Sequence, residues 1–317
     1  MNILVTGGAG FIGSHIVDAL VSKGHKVSVI DDLSTGVKKN VNKNAVFYKE
    51  STINGEKIRE IFEKEKPEIV IHAAANSMLR RSLEYPILDG MCNIIGTINV
   101  LEACRRSKVK RIIYTSTGGA RVGEPEYQPV DEKHALNPCS PYGISKHTGE
   151  HYIWMYNKIH GLDSIIFCFG NVYGPRDNPS CQRIIPFFID LILKGQSPKI
   201  IGDGKQTRDF IYVDDLVEFI VNSINEKPKN RLFYLSKGKQ YSINEIVKLL
   251  KKISNLPIEP EYINKVKGEV KEIVLDCSLA KKELGWKPKT EIEEGLKKTF
   301  EWYKKNRDYF WEARVIS

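Results

Sequence analysis

Residues 4–15 read Leu-Val-Thr-Gly-Gly-Ala-Gly-Phe-Ile-Gly-Ser-His, almost at the start of a 317-residue chain. Met1–Thr6 is a short apolar run suited to a buried parallel strand, and Phe11–Ser22 carries apolar residues at helical spacing. Gly7, Gly10 and Gly13 sit at the junction, one glycine every third residue. Such a turn lets backbone approach a ligand where a side chain would clash, and it aims the first helical amides, at Phe11, Ile12 and Gly13, outward. Those amides and the positive end of the helix dipole favour a diphosphate. A second apolar strand, Lys26–Ile30, ends at Asp31, near the distance expected for a carboxylate that binds an adenosine ribose. A carboxylate there favours NAD and repels the extra phosphate of NADP. A ligand-free glycine turn, or one serving a flavin, is the competing reading. The order strand, turn, helix, strand, acid favours the dinucleotide.

The first half of the chain keeps alternating. Strands are expected at 45–48, 68–72, 111–115 and 164–169, and helices at 55–64, within 87–107, and from about 141 to 160. Strands separated by helix-length segments imply right-handed crossovers and a parallel sheet covered on both faces. The fold expected is α/β: a Rossmann-type doubly wound parallel sheet (residues 1–170) followed by a smaller C-terminal α/β substrate lobe (residues 171–317). Beyond Asn171 the pattern breaks at Pro175, Pro179 and Pro186. Phe233–Leu235 reads as a strand that returns to the main sheet, so the boundary is not a single cut.

Composition narrows the function classes. The chain is 41% apolar, enough for a substantial core. No apolar stretch is expected to approach membrane-spanning length, and the first strand starts too early to leave room for a signal peptide. Six cysteines lie scattered without metal-ligand spacing, which suits reduced thiols in a cytoplasm; no metal site is expected. Most of the net charge of +9 lies beyond Glu226, where lysines alternate with glutamates along helical segments. That is the pattern of a solvated face. No basic run interleaved with aromatics points to nucleic acid.

Tyr142 and Lys146 stand one helical turn apart, so both can face one side of a helix. A nearby ammonium stabilises a phenolate and makes it a usable base. Tyr142 is the only tyrosine with lysine four residues on. Its position matters more than the spacing: it opens the helix after the fifth expected strand, which ends in the Thr115-Ser116-Thr117 cluster. Residues at the carboxyl ends of parallel strands converge on the cofactor crevice.

Together these blocks resemble the extended short-chain dehydrogenases/reductases, and within them the nucleotide-sugar epimerases typified by UDP-glucose (UDP-galactose) 4-epimerase. The resemblance runs from Asn2 to about Pro288. It rests on Thr6–Gly13, Asp31–Gly36, Asn93–Thr97, Asn137–Lys146, Asn171–Arg176, Gly202–Asp215 and Leu284–Pro288. It implies that Thr117 binds the sugar hydroxyl, that Tyr142 is the base, and that Lys146 serves both Tyr142 and the nicotinamide ribose. Asp31, Asp32, Ser34, Gly36, Ser51, Thr52, Ala74 and the structural asparagine Asn93 join the glycine turn in the cofactor set. Asn171 and Arg208 match residues that hold the nucleotide diphosphate of a UDP-sugar. The implied reaction inverts carbon 4 of a UDP-hexose through a 4-keto sugar, with NAD regenerated in each cycle. A homodimer is implied too, through the Tyr142 helix and the preceding one.

The sequence departs from the family pattern at several points. Arg121-Val122-Gly123 stands where a tyrosine usually precedes the glycine, and Cys168 where an arginine is usual. Ser51-Thr52 replaces an Asp-Ile pair, Asn76 a glutamine, and Val266 an arginine; Lys265 and Lys267, flanking Val266, are candidates for its phosphate contact. Gly118-Gly119 follow Thr117 where a dehydratase carries an Asp-Glu pair and a uronate decarboxylase a glutamate, which disfavours both. A 4-ketoreductase uses the same Tyr and Lys and stays open, as does, more remotely, a non-catalytic NAD-binding regulator. Five residues after Gly268, Ile273 falls where the family walls the sugar pocket. Smaller than the tyrosine that excludes N-acetylated sugars, it implies an enzyme open to the UDP-N-acetylhexosamine pair as well.

Overall fold

Apolar β-branched runs that are buried on both faces can pair only inside a sheet, and here they do so in parallel. In the computed structural model, which describes residues 1–228, 231–264 and 270–310, β1 (Asn2–Thr6) leads through α1 (Phe11–Ser22) to β2 (Lys26–Ile30), β3 (Val46–Tyr48) and α2 (Gly55–Glu65). β4 (Ile69–His72) follows, then α3 (Leu79–Glu84), α4 (Pro86–Gly90), α5 (Gly96–Arg106), β5 (Arg111–Thr117), α6 (Pro141–His160) and β6 (Asp163–Phe169). The chain continues as β7 (Asn171–Tyr173), α7 (Ile184–Leu193), β8 (Lys199–Ile201), β9 (Thr207–Tyr212), α8 (Val213–Asn222) and β10 (Leu232–Leu235). It closes with β11 (Gln240–Ser242), α9 (Ile243–Ser254), β12 (Glu261–Ile263), α10 (Ser278–Leu284) and α11 (Ile292–Lys305).

The main sheet has seven strands in the order β10-β6-β5-β4-β1-β2-β3. All its pairings are parallel, with Thr6 opposite both Ile30 and His72, and Thr117 opposite Phe169. The order reverses between β1 and β4, the point at which doubly wound sheets open a crevice at their carboxyl ends. One face is packed by α1 and α8 through Ile16, Leu20, Leu216 and Ile220; the other by α2, α5 and α6 through Ile58, Phe62, Leu101 and Ile153. β10 and α8 both follow Asn171 in sequence, so the segment 171–317 contributes to the main sheet as well as to the smaller lobe. That lobe is a three-stranded sheet (β11-β9-β7) and a two-stranded one (β12-β8). Its core of Tyr173, Phe188, Phe210, Ile246, Leu250 and Phe300 lies under α7, α9 and α11.

Two expectations change. α3 lies in a stretch, between the strand ending at His72 and the helix within 87–107, for which no element was expected. The helix expected within 87–107 is present as a continuous 21-residue helix, Pro86–Arg106, and its most apolar window has mean hydropathy 1.3. It is long and apolar enough to cross a membrane, against the expectation that no stretch approaches that length. Val100, Leu101 and Cys104 turn one side into the core beside α2, while Ile87, Met91 and Ile95 on the other side are exposed. A π turn at Met91–Ile95 interrupts its regular winding.

α6 is defined at both ends. Ser140 Oγ accepts from Gly143 N, Pro141 occupies the first turn, and Gly161 closes the helix at φ 67°. Tyr142 N donates to Ser82 Oγ of α3 at 3.2 Å. The entry of α6 is therefore tied to a helix that the sequence did not reveal.

Candidate active site

A cavity of about 1070 Å³ opens along the carboxyl ends of β1, β4, β5 and β6 and continues under the smaller lobe. Its cofactor-sized arm begins at the glycine turn. Gly7 has φ +72°, and a Cβ there would lie 2.6 Å from Ala74 N; a Cβ on Gly13 would lie 2.1 Å from Gly7 O. These two glycines serve close packing of the turn on β4 and of α1 on β1. Gly10 is the helix N-cap, no side chain caps it, and no acidic residue stands in the first turn. The amides at the head of α1 are left for a ligand in the cavity that Gly10, Phe11, Ile12 and Gly13 line.

Asp31, at the end of β2, is buried and lines the same arm. Its oxygens accept from Ala9 N at 3.0 Å and Leu33 N at 2.8 Å, which fixes the carboxylate. Burial pushes it up to about 6 despite those amides. Asp32, Ser34, Ser51, Thr52 and Ala74 also line the cavity. Glu50 joins them and adds a carboxylate next to Ser51-Thr52, which has none.

Two assigned residues lie behind the wall instead. Gly36 packs against Asp31, where a Cβ would stand 2.7 Å from Oδ1. Asn93 is buried in the Pro86–Arg106 helix and works as a strut. Its side chain accepts from Asn76 N at 2.8 Å and donates to Asn76 O at 3.1 Å and to Ser145 Oγ at 3.0 Å. Both support the cavity without lining it.

At the reacting end Thr117, Tyr142 and Lys146 converge on the cavity. β5 delivers Thr117, whose Oγ accepts from Ala120 N at 3.3 Å, and the first two turns of α6 deliver the pair. Burial pushes the Tyr142 phenol up to about 12; the Arg183 guanidinium and the Thr117 hydroxyl pull it down, while Asp89 opposes them. Burial likewise pulls the Lys146 ammonium down to about 8, against Glu150. Its Nζ lies 4.1 Å from the centroid of the Tyr114 ring. The tyrosine is thus a protonated phenol at neutral pH in the protein alone, and its use as a base depends on positive charge such as that of Arg183.

At the far end, Asn171, Arg208 and Ile273 line the cavity. Arg208 Nη1 donates to Thr207 O at 2.8 Å. Ile273 is buried against Gly119, where a Cβ would be 3.7 Å from the isoleucine methyls. Lys265 and Lys267 lie outside the described residues.

The structure adds lining residues that sequence reasoning missed. Arg183 pairs with Asp177 and donates to Ser77 Oγ at 3.2 Å, joining the smaller lobe to the exit of β4. Nothing at the level of sequence marks it, because its setting is created by the loop after β7. Arg81 reaches the cavity from α3, a helix whose six residues carry no periodic signal. Asn76, noted only as a departure, is clamped by Asn93 yet its own Nδ2 finds no acceptor among the described residues. A buried donor without a partner in a cavity wall suits a ligand oxygen. An uncapped helix N-terminus, a fixed carboxylate at the end of β2 and this orphan donor together fit a dinucleotide.

Similarity to known proteins agrees with this geometry. Residues 3–235 match the model of the family described as "NAD dependent epimerase/dehydratase family". A curated relative, a putative UDP-glucose 4-epimerase of Methanocaldococcus jannaschii, is 44% identical over 96% of this chain and 99% of its own length. The crystal structure of UDP-glucose 4-epimerase from Thermotoga maritima with UDP-glucose superposes with a TM-score of 0.94 at 40% identity, covering 97% of this chain and 100% of that one. UDP-glucose 4-epimerase of Thermus thermophilus in complex with NAD gives 0.90 at 33% identity, over 96% and 99%.

Proposed function

This chain belongs to the NAD-dependent epimerase/dehydratase family, and on that premise we propose that it inverts carbon 4 of a UDP-hexose, interconverting the glucose and galactose forms. The observation that carries the reading is the convergence of Thr117, Tyr142 and Lys146 at one end of a cavity whose other end holds the head of α1 and Asp31. The head of α1, Asp31 and the Asn76 side-chain amide would hold NAD along that cavity, where it would supply reversible hydride chemistry at carbon 4 with no net redox change over the cycle.

The residues of the chain handle the proton. Tyr142 takes it from the hydroxyl on carbon 4, Thr117 Oγ binds the same oxygen, and a 4-keto sugar results. Since burial disfavours the phenolate, the field of the Arg183 guanidinium, which pulls the phenol down, and the Lys146 ammonium one turn along α6 make Tyr142 a base. When the sugar presents its other face, the phenol returns the proton. No acid follows Thr117, where Gly118-Gly119 stand, so the site lacks the group that would eliminate water from the keto sugar. Asn171 and Arg208 hold the diphosphate of the UDP-sugar, with Ile273 as the wall beside the sugar. The wall is small enough to admit the UDP-N-acetylhexosamine pair.

A homodimer is part of the proposal. Ile87, Met91 and Ile95 on one helix and Ile144, Trp154 and Ile159 on α6 are exposed apolar side chains on adjoining helices, a face suited to a second copy. The six unpaired cysteines support a reducing, cytoplasmic setting. The test of the activity is incubation of the pure protein with a panel of UDP-sugars, with products separated by chromatography. Interconversion of UDP-glucose and UDP-galactose is the expected result. Product that tracks NAD(P)H consumption mole for mole would establish a ketoreductase.

A further inference from the structure

Below the reacting end lies a buried ionic group that none of these steps uses. Arg121, from the loop after β5, turns inward and places Nε and Nη2 at 3.0 and 2.8 Å from Glu150 Oε2. Its Nη1 donates to Tyr234 Oη of β10 at 2.8 Å. Both charged side chains are 5% exposed. Glu150 is further held by Ser116 Oγ of β5 at 2.6 Å and His147 Nδ1 of α6 at 2.8 Å, with Cys168 Sγ of β6 at 3.7 Å. Taking two ions out of water costs several kcal/mol per ion, and apolar residues of similar volume commonly serve stability as well. Stability is therefore a poor reason for this pair.

Its location offers a better one. Glu150 stands one helical turn beyond Lys146 on the same face of α6. Lys146 is almost fully buried, and the Tyr114 ring under its ammonium is anchored by a bond from its hydroxyl to Lys146 O at 3.4 Å. Gly149 makes that bond feasible, since a Cβ there would lie 2.3 Å from the Tyr114 hydroxyl. The charged or titratable groups that act on Lys146 are Glu150 from its own helix, Asp89 from α4 and Cys168 from β6. His72 of β4 also feels it, and burial keeps that imidazole neutral.

We propose that the buried Arg121–Glu150 pair is a positioning element for Lys146: the carboxylate keeps the lysine an ammonium, and the guanidinium limits how strongly that carboxylate draws it away from the cavity. Without Glu150, burial would discharge the lysine; without Arg121, lysine and glutamate would close on each other. The inference rests on the reading that Lys146 works beside Tyr142, and its test is separable from that reading.

The experiment follows the titration of Lys146 in the purified protein by competitive acylation across pH, mapped by mass spectrometry, alongside the pH profile of turnover. Glu150→Gln should move the Lys146 midpoint down by about one unit, equivalent to about a fivefold loss of ammonium at pH 8 and less than about twofold at pH 6.5. Arg121→Gln should move it up. Where a single change leaves a buried charge that prevents folding, Arg121→Met with Glu150→Gln removes both and should titrate below the wild type. Midpoints that stay put, or that move in the same direction for both single variants, overturn the proposal. The acylation readout is independent of epimerase activity, so failure of the proposed function would be recognised separately, as absence of turnover in the wild type.

Discussion

Tyr142 is a phenol that its surroundings hold protonated until positive charge is brought to it. Tyr142→Phe keeps the ring and removes the only ionisable oxygen, so turnover should fall by at least about 10²-fold while NAD binding, followed by fluorescence titration, stays near the wild-type value. Near-normal turnover would remove Tyr142 from the mechanism. Asp31 gives a second consequence with a definite sign. Its carboxyl is raised to about 6 by burial, so the ionised form, the one that would receive ribose hydroxyls in the role proposed for it, is populated above that pH and lost below it. NAD affinity should decline as pH falls through 6, and Asp31→Asn should be weaker and flat across that range; an unchanged slope in the variant would assign the titration elsewhere. Ile273 packs its methyls over Gly119, and the role proposed for it as the wall of the sugar pocket has its own test. Ile273→Tyr should lose activity on UDP-N-acetylglucosamine selectively. If the wild type does not turn over that substrate, or the variant keeps the same preference, the role given to Ile273 is wrong.

At the scale of elements, α6 and the Pro86–Arg106 helix do double duty. Their inner faces carry Tyr142, Lys146 and the Asn93 strut, and their outer faces expose Ile87, Ile144, Trp154 and Ile159. If a second copy covers those faces, Ile87→Lys with Ile159→Lys should give a monomer by light scattering while the wild type measures as a dimer. A monomeric wild type would dismiss the interface. The elements that sequence made legible are those whose signal is local. Pro141 after Ser140 and Gly161 after His160 fix α6 to the residue, and the run after Gly10 does the same for α1. α3 escaped because six residues are too few for a periodic pattern; the Pro86–Arg106 helix was placed to within a residue, but its apolar length was masked by Asp89 and Asn93, polar residues that face inward to Ser145. Polarity on a buried face looks like an interruption until the partner across the gap is known.

Over the whole molecule, the site depends on contacts between segments far apart in sequence, and these were the least readable. The glycine turn, Asp31, Thr117, Tyr142 and Lys146 were legible because each sits at the end of a strand or the start of a helix. Arg183, Arg81 and the Arg121–Glu150 pair were not, since their meaning arises only when loops fold back over the sheet. His72 shows the same dependence in its effect on stability. It is fully buried between Thr6 and Thr97, and burial lowers it to about 3. The unfolded chain therefore binds a proton that the folded chain refuses, and stability present above about pH 6.5 should be lost progressively as pH falls toward 3. Thermal melts of the wild type and His72→Asn across that range should show a shallower acid slope in the variant; parallel slopes would contradict the assignment. The central claim, that one site removes hydrogen from carbon 4 and gives it back on the other face, is tested most directly with UDP-galactose deuterated at carbon 4. Incubated in ordinary water with the protein loaded with NAD, it should give UDP-glucose that retains the deuterium at carbon 4. Product in which that deuterium has been replaced by solvent hydrogen would contradict it.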